Sequence, residues 1–314
     1  MVTPPSIAIL GANSHIAKGL IYHFLADGRR RLVLFTRSAA QTETFLREIP
    51  QFSGRDYTIQ EGYRNFADGN YDAVINCVGA GSPGHLGNDY SIWFTLTEEY
   101  DNLCLDYLRN HPKTAYINFS SGAVYGKDGS APVSEHTVNR IEVNHIPAAD
   151  YYTIARLNAE AKHRSLPHLN IVDIRIFAYF SRFADLDAGY FITEAVKCTR
   201  DQQPLLTSPA NMIRDYIHPS DLFVLIQLCL ATNALNAAFD AVSSAPVEKF
   251  AILDFLKSKY GLHYRIDDSR EFGSPNGAKN IYCSAYNRAA EIGYQPKFSA
   301  MAAIEQETEQ ILRR

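Results

Sequence analysis

An apolar run, Ile7–Leu10, leads directly into Gly11-Ala12-Asn13-Ser14-His15-Ile16-Ala17, where helical spacing begins. A strand, a tight turn and a helix start in that order turn backbone N–H groups and the positive helix end toward an anion, which is how a pyrophosphate is held. Gly11 suits the turn, and Ser14 and Ala17 take the other two small-residue places of a GxxGxxG loop. The next strand ends in Leu34-Phe35-Thr36-Arg37-Ser38. A site built for NAD places an acidic residue there to accept from the adenosine ribose. Thr36 followed by a guanidinium favours a 2′-phosphate instead, through a charge-assisted fork. NADP(H) is therefore expected over NAD(H), held by Gly11, Asn13, Ser14, His15, Ile16, Thr36 and Arg37, with Cys77 and Gly79 at the end of a third strong strand.

A later strand, Thr114–Phe119, ends in Ser120-Ser121-Gly122-Ala123-Val124-Tyr125-Gly126, and further on comes Tyr152-Thr153-Ile154-Ala155-Arg156-Leu157-Asn158-Ala159-Glu160. At this point the chain resembles the extended short-chain dehydrogenases/reductases, the NAD-dependent epimerase/dehydratase family, with its SSxxVYG strand end and YxxxKxxxE helix. Arg214-Asp215-Tyr216-Ile217-His218-Pro219-Ser220-Asp221-Leu222 is close to that family's RDYIHVxDL segment, and Ala290–Pro296 to its LGYxP region. The resemblance covers essentially the whole chain.

Hydride transfer at a carbonyl needs a proton donor beside the developing alkoxide. A free phenol ionises near pH 10, and a cation at about 4 Å contributes roughly 4 kcal/mol at an effective dielectric near 20, enough to bring it toward neutrality. Tyr152 is the expected phenol, Arg156 one helical turn on is the cation on the same face, and Ser121 is expected to hydrogen-bond the substrate oxygen. Arg156 stands where the family has lysine; it supplies charge and ribose hydrogen bonds but does not shed a proton into a relay. Both residues thus count as catalytic and cofactor-binding.

By resemblance, the substrate is a nucleotide-linked sugar, contacted by Ser121, Gly122, Ala178 and Arg214, the last matching a position that meets the diphosphate. Ala178 replaces an asparagine of the family's RxFNxYG, and Arg270 and Lys279 are candidates for a second diphosphate cation. Gly122-Ala123 stands where the family's 4,6-dehydratases carry an Asp-Glu pair, so elimination of water is not expected. With Arg37 pointing to NADP, the expected activity is reduction of a 4-keto sugar; nucleotide-sugar epimerisation is the alternative, and a non-catalytic NADP-binding sensor or assembly protein the second alternative. The resemblance also implies a homodimer, through helices Thr95–Arg109 and Tyr151–Arg164.

These side chains need a scaffold, and the pattern describes one. Strands Ser6–Leu10, Arg31–Phe35, Tyr57–Gln60, Tyr71–Cys77, Thr114–Phe119 and Leu169–Phe177 alternate with helices Ser14–Leu25, Ala39–Arg47, Thr95–Arg109 and Tyr151–Arg164. Apolar strands separated by helices indicate a parallel sheet covered on both faces. The fold class is α/β: a Rossmann doubly wound parallel sheet with a smaller mixed α/β substrate lobe. Residues 1–178, with 212–245 returning, form the dinucleotide part; 179–211 and 246–314 form the lobe. In the second half, a helix is expected at Gly189–Thr199, a strand at Met212–Ile217, a helix at Asp221–Leu230, a strand at Ala238–Val242, and helices near Val247–Tyr260, Tyr286–Ile292 and Ala302–Leu312.

Composition bounds the rest. The 314 residues are 46% hydrophobic and 20% charged, with a net charge of -4. That excludes disorder and gives no bulk charge for nucleic acid or an anionic membrane. Five scattered cysteines without a CxxC pair fit a reducing cytoplasm, not a disulfide or zinc scaffold. The histidines show no paired ligand spacing, so no metal is expected. Neither a signal peptide nor a membrane span is expected, since Ile7–Leu10 is broken at once by Gly11–His15 and no apolar stretch nears the ~20 residues a span needs.

Overall fold

The computed structural model describes residues 4–52, 54–79, 89–126, 128–269 and 279–313. Its first half runs β1 (Ser6–Leu10), α1 (His15–Asp27), β2 (Arg31–Thr36), α2 (Ala39–Arg47), β3 (Tyr57–Glu61), β4 (Ala73–Asn76), α3 (Ser91–Asn110), β5 (Ala115–Ser121), α4 (Ala148–Arg164) and β6 (Ile171–Ile176). The second half runs β7 (Ala178–Tyr179), α5 (Phe191–Arg200), β8 (Leu205–Thr207), β9 (Ile213–Arg214), β10 (Tyr216–Ile217), α6 (Pro219–Ala231), β11 (Asn236–Ala241), β12 (Val247–Glu248), α7 (Lys249–Tyr260), β13 (Tyr264–Ile266), β14 (Ile281–Tyr282) and α8 (Ala300–Leu312).

Seven strands pair in the order β11-β6-β5-β4-β1-β2-β3, every neighbour parallel. The fold is the expected Rossmann-like sheet. Because β1 pairs with β2 on one side and β4 on the other, the chain reverses its winding there, and the crevice beyond the carboxyl ends of β1 and β4 receives ligands in such sheets. Alternation along each strand sorts the core into two layers. Ile7, Ile9, Leu32, Leu34 and Ile75 pack with α1 and α6, whereas Ala8, Leu10, Val33, Phe35 and Val74 pack with α3.

The smaller mixed lobe has its own core of Phe180, Ile192, Val196, Tyr216, Leu253, Leu256 and Ile304. Three short sheets frame it: β10-β7, β12-β9-β14 and β13-β8. The expected strand Met212–Ile217 is broken in two at Asp215, whose buried carboxylate accepts the Ser243 N–H at 3.1 and 3.3 Å. That inward turn sends β9 and β10 to different sheets. The helix expected from Val247 begins instead at Lys249, because Val247 and Glu248 pair antiparallel with β9. Of the helix expected at Tyr286–Ile292, only a 3-10 turn at Arg288–Ile292 forms.

Candidate active site

The cofactor-binding residues expected from the sequence gather at the ends of β1, β2 and β4. Gly11 has φ +73°, and a Cβ there would meet Val78 N at 3.0 Å and Cys77 C and O at 3.1 Å. Only glycine lets β1 turn this close to β4. Ser14 caps α1, its hydroxyl accepting from Ala17 N–H at 3.3 Å. This cradle fits a pyrophosphate: backbone at close approach, followed by the positive end of a long helix. Gly11→Ala is expected to cost about 1–2 kcal/mol of stability from the left-handed backbone alone and to weaken dinucleotide binding roughly tenfold or more, readable by calorimetric titration.

Several side chains of this corner are engaged with each other. Asn13 Nδ2 donates to Thr36 Oγ1 at 2.7 Å and to Ser38 O at 3.1 Å, while its Oδ1 accepts from Thr42 Oγ1 at 2.8 Å. His15 Nε2 lies 2.8 Å from Ser181 Oγ, and its ring meets Tyr179 edge-on at 4.7 Å. Burial, with Lys18 nearby, lowers the His15 imidazole to about 4, so it is neutral at pH 7. Ile16 follows on α1, half-buried against the core. Cys77 is buried and its thiol is pushed up by that burial, whereas Gly79 is exposed. Arg37 is exposed.

The residues expected to be catalytic, Ser121, Tyr152 and Arg156, come from β5 and α4. Thr153 Oγ1 donates to Ala123 O at 3.1 Å and Arg156 Nη1 to Phe119 O at 3.0 Å, so α4 is bolted across the end of β5. The Arg156 guanidinium carbon sits 5.2 Å from the Tyr152 ring centroid, and Trp93 meets that ring edge-on at 5.6 Å. Behind it, Glu160 accepts from Ser120 Oγ at 2.6 Å and from Arg175 Nη2 at 2.6 Å. Ser121 is 8% exposed; its Oγ accepts from Ala123 N–H at 3.2 Å and lies 3.1 Å from the phenol oxygen of Tyr282. A Cβ on Gly122 would fall 2.5 Å from the Phe177 ring, so this position admits no side chain without displacing that ring.

The lobe brings in Arg214, Lys279 and Tyr282. Parallel pairing sets Tyr282 beside Arg214. The Arg214 guanidinium donates to Ile213 O at 2.8 Å and Lys279 O at 2.9 Å, and lies 6.0 Å from the Tyr282 ring. Lys279 Nζ stands 4.7 Å from the same ring, with its side chain 8% exposed. Burial first, then the charge of Arg214, lowers its ammonium to about 8 against the opposing pull of Asp150. Two cations thus stand side by side against one phenol ring, an arrangement that suits an anion. Ala178, by contrast, packs into the lobe core. Arg270 lies outside the described residues. Tyr282 was not legible in sequence: no motif surrounds it, and only the pairing of β14 with β9 carries it to Ser121.

No curated protein matches the sequence. Solved structures do match in fold. UDP-glucuronic acid 4-epimerase from Bacillus cereus, in complex with UDP-4-deoxy-4-fluoro-glucuronic acid and NAD, is 18% identical with a TM-score of 0.81, covering 98% of this chain and 99% of that one. UDP-glucose 4-epimerase from the hyperthermophilic eubacterium Thermotoga maritima, with UDP-glucose, is 14% identical with a TM-score of 0.79 and the same coverage. dTDP-glucose 4,6-dehydratase from Bacillus anthracis, with NAD, is 13% identical with a TM-score of 0.76, covering 99% and 97%.

These similarities overturn the expectation of NADP(H) over NAD(H) and the 4-ketoreductase reading that followed from it. NAD is the dinucleotide named with the Bacillus cereus epimerase and with the Bacillus anthracis dehydratase, and neither is a ketoreductase by name. The physical reason lies at the end of β2. Arg37 is exposed, and the polar groups around it are bonded to one another through Asn13 rather than opened as a phosphate cradle. An arginine in solvent does not by itself select a 2′-phosphate. Among the described residues no helix is long and apolar enough to cross a membrane, and no three His, Cys, Asp or Glu side chains are grouped to hold a metal ion. Residues 7–240 match the NAD dependent epimerase/dehydratase family, and the chain belongs to it.

Proposed function

We propose that this protein interconverts the C4 epimers of a nucleoside-diphosphate hexose, using NAD held in the β1–β4 crevice. The observation that carries the reading is the convergence of Ser121, Tyr152 and Arg156 at the end of β5, with glycine and alanine where an eliminating enzyme needs two carboxylates. NAD would be held at its pyrophosphate by the Gly11–Ile16 backbone and the start of α1, near Thr36 at its adenosine end, and by Tyr152 and Arg156 toward the nicotinamide ribose. Bound there, it supplies a reversible acceptor for the C4 hydride.

The chain's own residues do the rest. Ser121 hydrogen-bonds the C4 oxygen and Tyr152 exchanges that oxygen's proton. Arg156 keeps positive charge over the phenol ring; with one N–H committed to the Phe119 carbonyl, it acts by charge and not as a proton store. Arg214 and Lys279 are the cations for the diphosphate. Incubation with UDP-glucose, UDP-glucuronic acid or dTDP-glucose should give a mixture of C4 epimers by NMR without net reduced nicotinamide. Recovery of every sugar unchanged would sink the reading.

Lys279→Met should raise KM for the nucleotide sugar roughly tenfold while leaving kcat within about threefold, as expected for a charge-assisted contact to phosphate. In the wild type, KM should climb as pH passes about 8, where the Lys279 ammonium loses its proton.

We further infer that the dinucleotide part comprises residues 1–178 with 212–245, since β11 joins the main sheet beside β6, and that 179–211 and 246–314 form the substrate lobe, whose short sheets also take in β7, β9 and β10 from the margins of the dinucleotide part. A homodimer through α3 and α4 is supported by Phe94, Tyr151, Ile154 and Leu157, which remain only partly buried on these helices in the single chain. The five free cysteines are in keeping with a cytoplasmic setting.

A further inference from the structure

A serine hydroxyl has one proton to give and two lone pairs to fill. At Ser121 the Ala123 N–H fills one lone pair at 3.2 Å, and Tyr282 Oη lies 3.1 Å from the same oxygen. Tyr282 comes from β14, in the opposite lobe. Its ring is fixed by Phe177 at 5.1 Å, by Lys279 Nζ at 4.7 Å and by Arg214 at 6.0 Å. The missing Cβ of Gly122 makes the room that Phe177 occupies.

Burial keeps the Tyr282 phenol protonated, its ionisation pushed far above the usual range. Among the described residues Ser121 is its one hydrogen-bond partner. Either hydroxyl can donate across this contact. With substrate bound, however, Ser121 has the sugar oxygen for its proton, whereas the phenol has Ser121 alone. A donor left unpaired in a closed site costs about 1–3 kcal/mol, so the phenol is the donor. Both lone pairs of Ser121 Oγ are then filled, one by Ala123 N–H and one by Tyr282 O–H. The serine's own proton has nowhere to point except toward an incoming oxygen.

We propose that Tyr282 is a positioning residue that commits Ser121 to act as a hydrogen-bond donor to the reacting sugar oxygen. The proposal rests on the functional reading above, in which Ser121 touches that oxygen. It makes the reacting centre a two-lobe assembly: the donor sits on β5 and the group that aims it on β14. Without the phenol, Ser121 is free to accept from the substrate hydroxyl instead, which stabilises nothing as negative charge grows on that oxygen.

A double-mutant cycle tests the idea. Tyr282→Phe removes only the hydroxyl and keeps the ring against Phe177 and the two cations. It should lower kcat ten- to a hundredfold, with KM for the nucleotide sugar and the affinity for NAD within about threefold of wild type. Ser121→Ala should fall further, and the double variant should match Ser121→Ala alone, because the phenol acts only through the serine. Losses that multiply in the double variant, or a Tyr282→Phe effect confined to KM, overturn the proposal while the functional reading stands. A wild-type protein inert toward every nucleotide sugar overturns the functional reading, and this proposal with it.

Discussion

Tyr152→Phe should lower kcat about a thousandfold while leaving NAD affinity within a few-fold of wild type. Loss of a positioned general acid–base group costs 10²–10⁴ in rate. The substitution deletes one oxygen and nothing else. The ring keeps its edge-on contact with Trp93 at 5.6 Å and its place under the Arg156 guanidinium at 5.2 Å, so α4 stays docked on β5 through the Thr153 and Arg156 bonds. The pyrophosphate cradle lies on β1 and α1 and does not involve this oxygen. Steady-state kinetics with a nucleotide sugar and a calorimetric titration with NAD read the two halves separately. Turnover unchanged in Tyr152→Phe would remove Tyr152 from the chemistry. Loss of NAD binding together with turnover would show that the phenol oxygen serves to hold the cofactor, not to move a proton.

The second large effect is on stability. His163 is fully buried between α4 and the sheet, its Nδ1 2.9 and 3.0 Å from the Asp173 carboxylate and its Nε2 2.7 Å from Asp101. Tyr116 and Lys162 also hold Asp101, while Asn118 and Arg164 hold Asp173. Burial alone would lower the imidazole, but the hydrogen bonds and charges of the two carboxylates outweigh it and raise it to about 9. A group held above its unfolded value of 6.5 stabilises the fold fully below that pH and ceases to do so as pH rises through about 9. The swing is about 3 kcal/mol.

Urea unfolding should therefore show stability declining from pH 6.5 to 9. His163→Gln should lose about 3–5 kcal/mol at pH 6.5, because it leaves two buried carboxylates facing a neutral group. The variant should also lack the decline. A decline of the same size in His163→Gln would assign it to some other group.

Much of this architecture can be read from local pattern. Ile7–Leu10 followed by a glycine turn and a capped helix is a short-range arrangement, and the structure has β1 over Ser6–Leu10 and α1 starting after Ser14. The apolar runs at Arg31, Ala115 and Ile171 are likewise parallel strands. Tyr152 and Arg156 share a helical face because four residues make about one turn. The lobe is less legible. Its strands have two or three residues each, too short for a period to register, and Asp215 breaks one apparent strand by bonding to Ser243, twenty-eight positions away.

The cofactor shows how a local reading goes astray. Arg37 after β2 has the right type and place in sequence to meet a 2′-phosphate. What surrounds it depends on Asn13, which comes from another strand end and ties Thr36 and Ser38 into its own hydrogen bonds. Residue type at one position says what a group can do, not whether its neighbours leave it free to do so.

The sequence by itself determined the α/β class, the glycine turn of β1, the SSxxVYG strand end and the tyrosine–arginine pair of α4, because each is set by contacts within a few residues along the chain. Only the tertiary structure decided that Tyr282 meets Ser121, that Lys279 joins Arg214 as a second cation, and that His163 is clamped between Asp101 and Asp173. These groups lie 161, 65 and 62 positions apart for Ser121–Tyr282, Arg214–Lys279 and Asp101–His163. Strand pairing and helix docking bring them together, and no local periodicity encodes which distant edge a short strand will join.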